Sequence, residues 1–221
     1  MSMVEERVLS CPRCGNAQKQ EIWQSVNIQL DSDMKQKILD GEYNVFACEK
    51  CRAELPVDLP MMYHDMDGKL MIWLLPRDQS LKQTIMGHDA EAKRLLGVTH
   101  DGYRKRFVHS RLQLAETIRI FDDGLDDRAV ALFKVSYAHR HKMQPDDILY
   151  CGLEHDPRVG MVLTFFRRDS ESSFVWPMDG YQRAQGIVNQ CVPPENGLWT
   201  TVDHEYADRI ASVYEEAPKP H

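Results

Sequence analysis

Two cysteine pairs, Cys11-Pro12-Arg13-Cys14-Gly15 and Cys48-Glu49-Lys50-Cys51-Arg52, decide the fold of the first part of this chain. Each pair is a Cys-x-x-Cys motif, in which a tight turn lets two thiolates reach one metal ion. Gly15 can adopt the positive φ angle with which such a turn closes. Four thiolates are a typical ligand set for tetrahedral zinc, so Cys11, Cys14, Cys48 and Cys51 are predicted to bind one structural Zn2+ per chain.

Two other uses of the same four cysteines are open, because they could form disulfides or bind a tetrahedral iron ion. Thirty-three residues separate Cys14 from Cys48, and closing a loop of that length costs about 3 kcal/mol in its length-dependent part. A structural zinc site contributes on the order of 10–16 kcal/mol in small peptides, which outweighs that cost. The metal is therefore expected to close the loop.

The composition and charge of the chain argue for a cytoplasmic protein. The net charge is −7 and the isoelectric point is about 5.7, which disfavours a surface that attracts polyanions over its whole extent. No apolar run has the length of a secretory signal or of a membrane span. Cysteines in metal-binding pairs fit a reducing compartment better than a disulfide framework does. We therefore expect no membrane association, and nucleic acid is not the expected partner.

The predicted fold class is α+β, with a zinc-ribbon-like domain over residues 1–78 and a helix-rich α+β domain over residues 79–221. Between the cysteine pairs, the pattern predicts a strand-helix-strand insertion, whose strands cover residues 21–30 and 43–47 and whose helix ends at Gly41. Residues 57–64 and 69–75 are then predicted to form a hairpin. Asp67-Gly68 would lie at the centre of its type I′ turn, since both positions require positive φ.

The second domain combines helices that come first with a small antiparallel sheet that follows. Apolar residues at helical spacing predict the helices, and short runs of β-branched and aromatic residues predict the strands. The helices are expected over residues 79–97, 110–121, 126–137, 181–190 and 204–214, and the strands over 148–153, 160–167 and 173–176.

Several motifs of the first part occur together in a known family. Besides Cys11-Pro12-Arg13-Cys14-Gly15, the chain contains Asn44-Val45-Phe46-Ala47-Cys48-Glu49-Lys50-Cys51, Met62-Tyr63-His64-Asp65 and Leu70-Met71-Ile72-Trp73-Leu74-Leu75-Pro76. In these motifs residues 9–77 resemble the CpXC family of bacterial and archaeal proteins, which is named for its Cys-Pro-x-Cys motif. The resemblance implies metal binding through the four cysteines, no established biochemical activity and no catalytic residues. Arg52 departs from the glycine that is often found after the second pair.

Three further groups of residues could carry chemistry, and each has a structural alternative. Asp122, Asp123, Asp126 and Asp127 could collect a divalent cation, although aspartates before a helix more often cap it. Arg104, Lys105, Arg106, Arg111 and Arg119 form the one basic cluster, which could bind a phosphate backbone or serve as a solvated face or an internal partner of those aspartates. Tyr63-His64-Asp65 could act in acid–base chemistry or simply end a strand.

The isolated cysteines, Cys151 and Cys191, are predicted to be small buried residues. They could instead pair with His155 and His204 as thiol–imidazole dyads, and Asp179 could join such a site. No sequence motif connects these residues, so no catalytic residue is predicted.

The sequence favours a non-catalytic interaction or regulatory module, stabilised by the structural zinc ion, that binds another protein or itself. Trp23 or Trp73 could anchor such a contact, or either could lie in the core. The alternatives are a nucleic-acid-binding protein, which would use the ribbon and the Arg104–Arg119 basic patch, and an enzyme with its site in the C-terminal domain.

Overall fold

The protein has a mixed α+β fold. The structure, a computed structural model, describes residues 2–76, 80–97, 100, 102–154, 156, 160–167 and 170–216. Over these residues it contains eleven strands and six α-helices. The strands are β1 Met3–Ser10, β2 Ala17–Asn27, β3 Val45–Ala47, β4 Glu54–Pro56, β5 Met61–Asp65, β6 Leu70–Leu74, β7 Arg104–Val108, β8 Ile148–Leu153, β9 Met161–Arg167, β10 Ser170–Trp176 and β11 Trp199–Thr200. The helices are α1 Asp33–Leu39, α2 Ser80–Leu96, α3 Arg111–Asp122, α4 Asp127–His141, α5 Met178–Cys191 and α6 His204–Glu216.

The chain divides into two compact units. The first comprises Met1–Ala115 with Gly197–Trp199, and the second comprises Glu116–Asn196 with Thr200–His221. The division does not coincide with the boundary after residue 78 that the sequence suggested, because β7 pairs with β6 and so belongs to the first unit.

A six-stranded mixed sheet, in the order β1-β2-β5-β6-β7-β11, forms the centre of the first unit. β1 and β2 form an antiparallel hairpin, and β2 pairs in parallel with β5 only through Ser25, Val26 and Asn27. Most of the β1–β2 hairpin therefore extends beyond the rest of the sheet. Tyr63, Ile72, Leu74 and Arg106, on the three strands at its centre, are each at most 1% exposed.

The elements of the first 78 residues follow the predicted order, with two corrections to the strand and turn positions. The strand predicted over residues 21–30 runs instead from Ala17 to Asn27, and Leu30 is 67% exposed. The turn between β5 and β6 is not of type I′, since the positive φ angle falls at Lys69 rather than at Asp67 or Gly68. Gly68 N–H donates to Asp65 Oδ1, at 2.8 Å, so a side chain of β5 holds the turn in its place.

The five helices predicted after residue 78 are present as α2 to α6, of which α4, α5 and α6 lie wholly in the second unit. The predicted antiparallel sheet has the order β10-β9-β8. The core of the second unit packs helices α4, α5 and α6 with β8 and β9 around Ala129, Tyr150, Leu163 and Val188, each at most 1% exposed. Asp126 caps α4, as expected, by accepting a hydrogen bond from Arg128 N–H. No helix among the described residues has the length and apolarity to cross a membrane.

Candidate metal centre

The two Cys-x-x-Cys turns have the same backbone geometry, and each connects the strands of a β-hairpin. The first lies between β1 and β2, and the second lies between β3 and β4. In the first turn, Gly15 N–H donates to Cys11 C=O at 2.8 Å and Cys11 N–H donates to Asn16 C=O at 2.8 Å. The second turn repeats both bonds at equivalent positions, each at 2.9 Å. Arg52 occupies the position of Gly15 with a φ angle of 57°, so the departure from glycine does not change the turn.

The hairpins bring four sulfur atoms together. Cys11, Cys14, Cys48 and Cys51 place their Sγ atoms within 4.8 Å of one another. Sγ of Cys11 lies 3.6 Å from that of Cys51, and Sγ of Cys14 lies 3.6 Å from that of Cys48. These separations exceed the roughly 2 Å of a disulfide bond. Four sulfurs at about 2.3 Å from a tetrahedral ion would be about 3.8 Å apart, so the cluster is compatible with a bound metal.

The hydrogen bonds at the cluster favour a thiolate at Cys48 and a protonated thiol at Cys51. Backbone N–H groups of Cys51 and Lys50, with the thiols of Cys14 and Cys51, lower the pKa of Cys48 to about 6. The Ala53 N–H acts to lower the pKa of Cys51, but burial and the other three sulfurs outweigh it and raise that pKa to about 12. Four sulfurs this close cannot all carry a negative charge unless a cation lies among them.

The apolar core around the sulfurs is small. Its buried members are Cys11, Phe46, Cys48 and Ala53, with Leu9 and Val57 among the partly buried residues that pack against them. Phe46 is the only large side chain among the four buried members. The hairpins therefore depend on the sulfur cluster for much of their cohesion.

Gln18 and Asn44, which the sequence analysis did not single out, join the two hairpins. Gln18 Nε2 donates to Ala47 C=O and Gln18 Oε1 accepts from Glu49 N–H, both at 2.9 Å. Asn44, which is 5% exposed, accepts from Trp23 N–H at 2.8 Å and donates to Trp23 C=O at 3.0 Å. The sequence gives one signal for Gln18, which is a polar residue on a strand beside a cysteine turn.

The basic cluster Arg104–Arg119 does not form one exposed patch, because two of its five members are buried. Lys105 is 3% exposed and Arg106 is 1% exposed, because both lie on β7 within the sheet. Lys105 Nζ lies 2.7 Å from Asp89 Oδ2 on α2. Arg111 donates to the carbonyl oxygens of Gly41 and Tyr43 and packs over the Tyr43 ring at 3.8 Å.

The aspartates around Gly124 stabilise the second unit. Asp123 Oδ2 accepts a hydrogen bond of 2.6 Å from Tyr150 O–H, and burial together with this carboxylate raises the pKa of Tyr150. Burial acts to raise the pKa of Asp126, but hydrogen bonding to Arg128 outweighs it and lowers that pKa. Among the described residues, no group apart from the four cysteines meets the geometry of a metal site.

The residues considered for a thiol–imidazole site have other neighbours. Cys151 Sγ lies 3.1 Å from Thr164 Oγ1, and His204 Nδ1 lies 3.2 Å from Asp146 Oδ1. Cys191 packs against the core of the second unit. Asp179 accepts from Arg183 one helical turn further on. His155 lies outside the described residues.

His64 belongs to a titratable cluster in the first unit that the sequence did not indicate. His64 Nε2 lies 3.3 Å from Tyr103 O–H, and the His100 ring contacts the Tyr103 ring edge to face. His100 Nδ1 lies 3.4 Å from Asp89, which also pairs with Lys105. Burial, with the charge of His100, lowers the pKa of His64.

The first unit also contains an apolar cavity of about 470 Å³. Trp73, Met62, Leu81 and Ile85 contribute to its wall. Trp73 is therefore part of a cavity wall rather than a fully exposed anchor, and Trp23 is likewise half-buried.

Comparison with known proteins gives one match. Residues 9–134, more than half of the chain, match the family model described as CpXC protein. The match confirms the resemblance seen in the motifs and extends it past residue 77. No curated protein and no solved structure matches this chain.

Proposed function

We propose that this chain, which belongs to the CpXC protein family, holds one structural zinc ion and serves as a non-catalytic module that binds another protein or itself in the cytoplasm. The zinc ion would join two hairpins into a zinc-ribbon-like domain. The observation that carries the proposal is the convergence of four sulfur atoms from two turns that share one hydrogen-bonding pattern.

The ligand chemistry supports a structural zinc ion. Thiolates are soft ligands, and four of them in a tetrahedral arrangement favour Zn2+ or iron. Four protein ligands would fill the coordination sphere of zinc and leave no position for a reactive water. Zinc bound in this way would stabilise the fold, because the cysteines of an unfolded chain do not form the site.

Exposed apolar side chains support the interaction role. On β1, the side chains of Met3, Val4 and Val8 are exposed by 52%, 41% and 68%. Apolar side chains on an outer strand are a feature of surfaces that bind other proteins. The partner contact is therefore assigned to the hairpin that also contributes Cys11 and Cys14.

Elemental analysis of purified protein tests the metal assignment. One zinc per chain is expected in the natural protein and in Cys191→Ser, which removes a thiol far along the chain. Cys48→Ser should bind zinc at least about tenfold more weakly and should unfold the first unit at lower denaturant concentration. Iron in place of zinc, no metal in the natural protein, or full zinc retention in Cys48→Ser would overturn the assignment.

A further inference from the structure

β1 is an outer strand of the six-stranded sheet. One of its edges pairs with β2, and the other edge pairs with no strand in the described part of the chain. All of its residues except Leu9 are exposed. Backbone N–H and C=O groups at alternate positions therefore point away from β2 and have no strand partner there. A strand of this length could accept a further strand through a full set of backbone hydrogen bonds.

We propose that β1 pairs antiparallel with β1 of a second copy of this chain, so that two sheets continue into one another. The proposal names the partner for the interaction role and therefore rests on that part of the proposed function. It does not depend on which metal the cysteines bind.

Backbone geometry restricts the register of such a pair. A residue whose N–H and C=O point outward must oppose an outward-pointing residue of the other copy, and such residues alternate along a strand. In a twofold pair of identical strands, the symmetry axis must then pass through one residue and not between two. The regular part of β1 begins at Val4, because the pairing with β2 shifts between Met3 and Val4. Residues 5 to 9 are the possible centres of this part, which ends at Ser10. A register that centres on Val8 or Leu9 would oppose no unlike charges.

Charge complementarity selects Glu6 as the centre. This register places Val4 opposite Val8 and Glu5 opposite Arg7, and the symmetry repeats each pair. Opposed β-branched pairs and opposed unlike charges both stabilise a sheet. The register that centres on Arg7 would place that arginine opposite itself and Glu6 opposite Val8. The register that centres on Glu5 would place that carboxylate opposite itself and Val4 opposite Glu6.

The single like-charged pair in the favoured register has a nearby compensating charge. Glu6 would face Glu6 of the second copy, but Lys19 Nζ on β2 lies 2.7 Å from the Glu6 carboxylate. Two lysines would therefore flank two glutamates at the axis. On the opposite face, Arg7 already contacts Glu5 of its own strand at 2.8 Å, and the second copy would extend this pair into a ladder of four alternating charges.

The test uses reversed charges and sedimentation velocity of the zinc-loaded, full-length protein over a concentration series. The natural protein should form dimers. Arg7→Glu and Glu5→Arg should each raise the dimer dissociation constant at least about tenfold, since each turns two attractive pairs into two repulsive ones. Glu54→Arg, on exposed β4, makes the same charge change as Glu5→Arg away from β1 and should leave the constant unchanged.

Mixing the two variants provides the decisive measurement. The Arg7→Glu chain carries two glutamates and the Glu5→Arg chain carries two arginines, so the mixture should form heterodimers that neither variant forms alone. A natural protein that stays monomeric, a dimer that tolerates both reversals, or a mixture without heterodimers would overturn the proposal. A monomer that contains one zinc would leave the metal assignment intact, so the two failures are distinguishable.

Discussion

At the scale of single residues, side chains beside the cysteines determine how the two turns meet. The thiols alone do not fix the distance between the hairpins, because each pair lies on a separate turn. Gln18 supplies that link with one donor and one acceptor, both directed at the backbone around Cys48. Asn44 repeats the arrangement with the backbone of Trp23. Amide side chains suit this task because each offers both kinds of hydrogen-bonding group.

Gln18→Ala should therefore accelerate metal loss without removing a ligand. The two hydrogen bonds that join the hairpins are worth about 1–3 kcal/mol together, so zinc release should be about tenfold faster without them. Transfer of zinc to a chromophoric chelator would measure the rate. Gln20→Ala is the matched control, since the Gln20 amide lies on the same strand and donates to the C=O of the adjacent Glu21 at 3.5 Å. Equal rates in the two variants would contradict the positioning role of Gln18.

The lowered pKa of His64 gives the stability of the first unit a pH dependence. A histidine with a lowered pKa in the folded state binds fewer protons there than in the unfolded state. Its contribution to the free energy of unfolding is full above the ordinary pKa of about 6.5. That contribution is lost as the pH falls through the lower pKa of the folded state. His64 faces Tyr103 and His100, and the charge of Asp65 acts in the opposite direction.

We therefore expect the free energy of unfolding to fall less in His64→Gln than in the natural protein between about pH 7.5 and pH 5.5. Urea denaturation at both pH values would measure the difference. Protonation of the cysteines affects His64→Gln and the natural protein equally, so the comparison between the two proteins removes its effect. Identical pH profiles would show that His64 does not titrate differently in the folded state.

At the scale of elements, strand β7 shows why part of the fold could not be predicted from the sequence. Its first residues, Arg104-Lys105-Arg106, are the pattern of a solvated face, yet Lys105 and Arg106 are buried. The partner of Lys105 is Asp89 on α2, and no local pattern predicts that pair. The helices and strands of the second unit were predictable because apolar spacing within a single element decides them.

Strand β1 was missed for the opposite reason. Almost none of its side chains is buried, so the sequence shows no alternation between a core face and a solvent face. The convergence of the four cysteines, in contrast, was predictable because spacing alone determines whether two thiolates can reach one ion. The structure places the four sulfurs within 4.8 Å of one another.

The Asp89–Lys105 pair should be critical for the attachment of α2 to the sheet. Asp89→Ala would leave the ammonium group of Lys105 buried without its carboxylate, at a cost of about 3 kcal/mol or more. Lys105→Met, combined with Asp89→Ala, should recover most of that loss because no buried charge remains. Denaturation of the single and double variants would measure the coupling. If the double variant lost as much stability as the two single variants together, the contact between Asp89 and Lys105 would contribute nothing of its own.

At the scale of the whole molecule, the sulfur cluster and the core around Ala129 belong to different compact units. The sulfur cluster lies within Met1–Ala115, and the cluster of buried apolar residues around Ala129 and Tyr150 lies within Glu116–Asn196 and Thr200–His221. The first unit has a small core beneath its cysteine turns, whereas the second buries apolar residues from three helices and two strands. Removing the metal should therefore affect the two units unequally.

Hydrogen exchange with and without a zinc chelator would measure this difference. If zinc is bound as proposed, its loss should increase amide exchange in β1–β4, because a bond from each hairpin to the ion would be broken. The amides of α4 and β9 should keep their protection, since their apolar contacts contain no metal ligand. Cys48→Ser should reproduce the pattern without chelator, and Cys191→Ser should not. Uniform loss of protection in both units would instead show that they unfold as one cooperative structure.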